Sequence, residues 1–231
     1  MHPSLNGIRA VFFDAVGTLL FPAEPVSATY RRIAAKQGIE IDEETVRSRL
    51  LPAFERQERV DHAGGWRTDE AREVERWRTI VTETLEEVPD PTACFQELWQ
   101  WYSAPLAWQA HPQTAEVLTV LQQHGLILGM ASNFDARLHQ IIGQMQVFAP
   151  VRERCVVSSL TTWRKPASEF FAEVVRLSDS ALEEVLFIGD DRRNDYDGAH
   201  AAGLRAVLLE RTPASGRDDT VRIGELLELL G

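Results

Sequence analysis

The stretch Val11-Phe12-Phe13-Asp14-Ala15-Val16-Gly17-Thr18-Leu19-Leu20-Phe21 decides how the rest of the chain is read. A hydrophobic run ends in one aspartate. A glycine, a threonine and two leucines follow after Val16. Short apolar runs of this kind read as strands buried on both faces, and such strands belong to parallel sheets. In a doubly wound sheet, ligands bind beyond the carboxyl ends of the strands, which is where Asp14 stands.

Working outward, four more runs share the character of the first strand, Arg9–Phe13: Leu126–Ala131, Cys155–Ser158, Val185–Ile188 and Arg205–Leu209. Helical patterns lie between them. Thr114 is placed to cap a helix carrying Val117, Leu118 and Leu121, which stops at Gly125. Phe170, Phe171, Val174 and Val175 recur at helical spacing, and Ala199–Ala202 reads as a short helix closed by Gly203. Strands alternating with helices predict an α/β fold with a doubly wound, Rossmann-like parallel sheet.

Residues from Pro22 to Pro112 break the alternation and hold no convincing strand. Val46, Leu50 and Phe54 form one helical stripe; Trp77, Ile80, Val81, Thr84 and Leu85 form another. Prolines punctuate both ends. The expected organisation is a helical cap over 22–108, inserted into a core made of 1–21 and 109–231. Trp66, Trp77, Trp99, Trp101 and Trp108, five of six tryptophans, fall in the insertion or at its exit. Packing is their commonest role, with one expected to face a ligand.

Composition narrows the function. At 231 residues, 44% hydrophobic and 26% charged, the chain is that of an ordinary globular protein with a substantial core. A net charge of −11 argues against nucleic acid or a membrane surface as partner, since both are anionic. A small phosphorylated molecule stays open, because local cations or a metal reverse the field inside a pocket. Cys94 and Cys155 form neither a disulfide framework nor a metal motif and read as buried free thiols. The opening residues lack a basic stretch followed by a long apolar run, so the expected location is cytoplasmic. Only two of the 24 basic residues are lysines, Lys36 and Lys165. A lysine kept against such a bias suggests a place where a guanidinium does not fit.

Polar residues stand at four strand ends: Asp14; Ser132 and Asn133; Lys165; and Asp190 with Asp195. Three converging carboxylates would repel one another, and a hard dication removes the conflict. Magnesium takes oxygen ligands and usually works beside phosphate. Lys165 and the Ser132 hydroxyl suit phosphate oxygens. A carboxylate can also act as nucleophile.

This pattern resembles the haloacid dehalogenase-like hydrolase superfamily. Four segments carry the resemblance in the family's order: FFDAVGTLL, GMASN, RKP and FIGDDRRNDYDGA. The variant first segment is most similar to the branch holding the rhythmically expressed gene 2-like and domain-containing member 3 proteins. The resemblance implies Asp14 as nucleophile and metal ligand, with Asp190, Asp195 and the Val16 carbonyl completing the metal site. It implies Ser132 and Lys165 as phosphoryl holders, Thr18 as the residue orienting the first loop, and Asn133 as a substrate-orienting amide. The implied activity is magnesium-dependent hydrolysis of a small phosphorylated metabolite through an aspartyl-phosphate.

The simpler readings stand beside these. Asp190 and Asp195 suit turns or helix caps, and Ser132 suits a helix N-cap. Asp191 takes no role, Arg192 and Arg193 read as surface residues, and His62 and His111 as structural or solvated. Val16 is the departure. Phosphatases of the superfamily carry an aspartate there, whose carbonyl binds metal and whose side chain serves as general acid and base. Valine keeps only the carbonyl. The expected activity is weakened on alkyl phosphates and retained on aryl or acyl phosphates. Rival readings are a 2-haloacid dehalogenase, a phosphonatase-like enzyme using Lys36, and a phosphate-binding regulatory module without turnover.

Overall fold

The computed structural model describes residues 5–209 and the two-residue strand at 220–221. The remainder of the expected core segment 109–231, and the first four residues, lie outside the described residues. Five strands supply most of a parallel sheet: β1 (Ala10–Phe13), β4 (Ile127–Ser132), β5 (Cys155–Val157), β6 (Val185–Gly189) and β7 (Arg205–Leu209). With β8 (Thr220–Val221) the order is β5-β4-β1-β6-β7-β8. All pairs are parallel. Successive strands run outward from β1 in both directions, so the crevice between diverging connections opens at the carboxyl ends of β1, β4 and β6.

The strands are buried for the reason their composition announces. Val11 and Phe13 face one side of the sheet with Leu128, Met130, Leu186 and Ile188. Ala10 and Phe12 face the other with Ala131, Phe187, Phe170 and Phe171. Helices α5 (Thr114–Gln123) and α6 (Arg137–Gln144) cover the first face, while α8 (Ser168–Ser178) and the short α9 (Gly198–Ala201) cover the second. Thr114 does not cap α5: Gln113 holds the cap position, and the Thr114 hydroxyl is buried 3.5 Å from the Leu19 carbonyl.

Between β1 and β4 the chain forms four helices: α1 (Val26–Ala35), α2 (Glu43–Ala63), α3 (Glu70–Thr84) and α4 (Pro91–Trp101). Asp42, Asp69 and Asp90 cap the last three, each carboxylate accepting from a backbone N–H three residues on. The helices share their own core, including Tyr30, Ile33, Val46, Val81, Phe95 and Leu98. The absence of a strand between Pro22 and Pro112 is not what the structure shows. Trp108–Ala110 forms β3, antiparallel to β2 (Leu20–Pro22). Three residues are too few for an alternating pattern, so sequence periodicity passes over this ribbon. It carries the chain into and out of the helical insertion.

A second connection joins the insertion to the sheet layer. Arg67, between α2 and α3, bridges Trp163 in antiparallel fashion. The Thr68 N–H donates to the Thr162 carbonyl at 2.9 Å, and the Arg164 N–H donates to the Trp66 carbonyl at 3.0 Å. Thr162 ends the four-residue helix α7 (Ser158–Thr161). Among the described residues no helix is long and apolar enough to cross a membrane.

Candidate active site

Asp14 leaves β1 at the crevice and is 5% exposed. Its N–H donates to the Ile188 carbonyl at 2.8 Å, which fixes the backbone against β6. The chain then turns sharply: the Ala15 carbonyl accepts from the N–H groups of Leu19 and Leu20, and Gly17 takes φ +102°, a conformation that a side chain would resist. The turn brings the Thr18 hydroxyl to Asp190 Oδ1 at 3.2 Å. It also leaves Val16 36% exposed on the wall of a cavity.

Ser132, the last residue of β4, donates to Asp14 Oδ1 at 3.1 Å. It lies inside the strand and caps no helix. Lys165 Nζ stands 2.6 Å from Asp14 Oδ1 and 2.5 Å from Asp195 Oδ1, at 2% exposure. Asn133 holds the lysine from behind, its Oδ1 accepting from the Lys165 N–H at 2.7 Å and its Nδ2 donating to the Lys165 carbonyl at 3.0 Å. Asn133 therefore positions Lys165 through its backbone.

Asp190 precedes a wide helical turn, Arg192–Asp197, and Asp195 lies within it. The cap that sequence reading offered to these two belongs to Asp191, whose carboxylate accepts from the N–H groups of Arg193 and Asn194, both at 2.9 Å. Asp195 Oδ2 accepts from the Asp191 N–H at 3.0 Å. Arg193 reaches across to the insertion, 3.8 Å from Glu58 and over the Trp66 ring.

Electrostatics set the character of the site. Burial pushes the Asp195 carboxyl up to about 7, and the Asp14 charge adds to that, against the pull of Lys165. Burial alone would depress the Lys165 ammonium, but the two carboxylates together outweigh it and hold the lysine above its ordinary value. Asp14, Asp190 and Asp195 bring oxygens within 4.8 Å of one another. Three hard oxygen donors this close, one of them with its charge disfavoured by burial, fit a small dication such as magnesium.

The cavity beside these groups has a volume of about 310 Å³ and is roofed by the insertion. Its walls include Trp77, Trp99 and Trp108, so three tryptophans face it where one was expected. His62 packs on Trp66 and His111 on Phe21; neither lines the cavity. Lys36 lies exposed at the end of α1, paired with Glu97 at 2.5 Å, and does not line the cavity.

Sequence reading missed an ionic cluster where the insertion meets the segment leading into Lys165. Asp61, fully buried, accepts from Arg72 at 2.6 Å and Arg76 at 3.0 Å, and Arg164 reaches it at 3.0 Å. Arg164 also pairs with Glu73 at 3.0 Å. The signal was faint: Asp61, Arg72 and Arg76 sit on amphipathic helices, where charges ordinarily mark a solvated face.

Comparison with known proteins bears on the family and the fold. The family model for haloacid dehalogenase-like hydrolases matches residues 8–203. The human haloacid dehalogenase-like hydrolase domain-containing protein 3 is 27% identical over 210 residues, covering 87% of this chain and 82% of the human one. A ribulose-1,5-bisphosphate 5-phosphatase from Halopiger xanaduensis is 26% identical over 211 residues, covering 89% and 86%. Among solved structures, the magnesium-bound Bacillus subtilis protein YfnB, described as a hydrolase of this superfamily, aligns with a TM-score of 0.72 at 20% identity over 96% of each chain. With the matched model spanning most of the chain, the protein belongs to the haloacid dehalogenase-like hydrolase family.

Proposed function

We propose that the protein is a magnesium-dependent phosphatase acting on a small phosphorylated metabolite through an aspartyl-phosphate on Asp14. The observation that carries this reading is the position of Asp14 Oδ1, held by both Ser132 and Lys165 within reach of Asp190 and Asp195. Magnesium, held by Asp14, Asp190, Asp195 and the Val16 carbonyl, would neutralise charge on the phosphoryl oxygens. The phosphatase relative supports the same chemistry.

The chain's own residues would divide the work as follows. Lys165 and the Ser132 hydroxyl bind phosphoryl oxygens. Asn133 fixes the lysine backbone, so the ammonium is placed before substrate arrives. A carboxylate oxygen of Asp14 attacks phosphorus, the bond to the leaving oxygen breaks, and the leaving group takes the electron pair. Water then cleaves the acyl phosphate, releasing phosphate and restoring Asp14. Val16 offers no proton to the leaving oxygen and no base to the water. A positioned acid or base is typically worth about 10²–10⁴-fold, so leaving groups that depart as stable anions are favoured.

The test is hydrolysis of phenyl phosphate, with and without magnesium, by the wild type, Asp14→Asn and Val16→Asp. Magnesium-dependent turnover that vanishes in Asp14→Asn and rises in Val16→Asp is the expected result. Silence in all three, or chloride release from 2-chloropropionate without magnesium, would overturn the reading.

A further inference from the structure

The carboxylates and Lys165 occupy one end of the cavity, and the far end is built differently. Aromatic side chains stand on its walls: Phe54 from α2, Trp77 from α3, Phe95 and Trp99 from α4, Trp108 from β3, and Phe134 just beyond β4. They lie against one another, with Phe54 on Trp77, Phe95 on Trp99 and Trp108 on Phe134 at centroid distances of 6.3, 5.5 and 5.9 Å. Apolar walls gain when an apolar group displaces water from them.

The cations on these walls already hold carboxylate partners. Arg76 pairs with Asp61 at 3.0 Å, and Arg164 with Asp61 and Glu73. Arg137 meets Asp135 through two hydrogen bonds of 2.7 Å while its guanidinium lies 3.4 Å above the Trp99 ring. A second phosphate or a carboxylate on the ligand would have to displace one of these partners. A polyhydroxylated chain would give up hydrogen bonds to water and meet rings instead. Arg76 Nη2 has the Glu58 carboxylate 3.5 Å away, so this face of the guanidinium is also matched by an acid.

We propose that this chamber selects phosphate monoesters whose organic part is uncharged, largely apolar and of aromatic-ring size, in preference to sugar phosphates and bisphosphates. The inference rests on the phosphatase reading for the phosphoryl end, and it concerns the other end. It is also separate from leaving-group acidity, because it predicts binding and not only turnover.

The experiment is calorimetric titration of the full chain, with magnesium present, against three ligands that cannot turn over: 2-phenylethylphosphonate, 3,4-dihydroxybutylphosphonate and inorganic phosphate. The phenylethyl compound is expected to bind at least tenfold tighter than the dihydroxybutyl compound. In Trp99→Ala that ratio is expected to fall below threefold while phosphate affinity is unchanged. Equal or tighter binding of the dihydroxybutyl compound, with phosphate still bound, would overturn the chamber's selectivity and leave the phosphatase reading standing. Binding of none of the three would overturn both. The ligand comparison in the wild type decides the matter even where Trp99→Ala fails to fold.

Discussion

Gly189 closes β6 one residue before Asp190, and a single methyl group there tests the geometry of the site. A Cβ built on Gly189 would lie 2.1 Å from Asp195 Oδ2 and 2.3 Å from its Cγ. Ordinary contact begins at 3.4 Å, so in Gly189→Ala the carboxylate must retreat by the difference, about 1.3 Å. Asp195 is 1% exposed and held by Lys165 and the Asp191 N–H, so the retreat breaks at least one hydrogen bond. Overpacking of this kind costs roughly 1–3 kcal/mol. At about 2–4 °C per kcal/mol for a chain of this size, Tm falls by roughly 2–12 °C. The effect on the reaction is larger, because a misplacement of about 1 Å costs about 100-fold. Magnesium affinity falls too, since Asp195 is one of the three clustered carboxylates, and phenyl phosphate turnover, a magnesium titration and a thermal melt read the three effects. A variant that keeps wild-type Tm, with turnover and magnesium affinity within threefold, would refute the claim that Asp195 must stand where the structure has it.

Other outcomes follow from the same geometry. Asp61→Asn removes the charge shared by Arg72, Arg76 and Arg164; an unmatched buried charge costs about 3–5 kcal/mol, and a Tm within 2 °C of wild type would sink that account. Gly143 is exposed near the end of α6 with nothing within 4 Å of an added Cβ, so Gly143→Ala should stabilise by about 0.5–1 kcal/mol, read as a rise in the urea midpoint. Cys155 keeps partial exposure, yet burial of its thiol pushes the pKa up to about 12. At pH 8 only about 10⁻⁴ of it is thiolate, so iodoacetamide should label it in denaturant and not in the native protein. The wild type should hydrolyse phenyl phosphate far faster than glycerol phosphate; equal rates would mean that another residue supplies the proton that Val16 cannot.

The strand ends were legible because parallel strands are buried on both faces, which leaves short apolar runs whose polar termini stand out. Asp14 and Ser132 lie at such termini, Lys165 and Asp195 a few residues beyond the ends of β5 and β6, and their order along the chain carried the family resemblance. The scarcity of lysine drew attention to Lys165, and the structure places its ammonium between two carboxylates. What the sequence hid is tertiary. The hold of Asn133 on the Lys165 backbone depends on two loops meeting, and neither loop advertises it. The Asp61 cluster depends on which face of α2 and α3 turns inward, and residues such as Gln57 and Glu73 blur the apolar stripe. The cluster of tryptophans in the insertion was visible as a count, but their convergence on one chamber was not.

The seam between Trp66–Thr68 and Thr162–Arg164 has a mechanical meaning. Arg164 is tied to the insertion by its backbone N–H and by its guanidinium, and the next residue is Lys165. Lifting the roof of the chamber therefore pulls on the chain one peptide away from the ammonium that holds Asp14. The position of the roof and the position of that ammonium are thereby tied through one short stretch of chain.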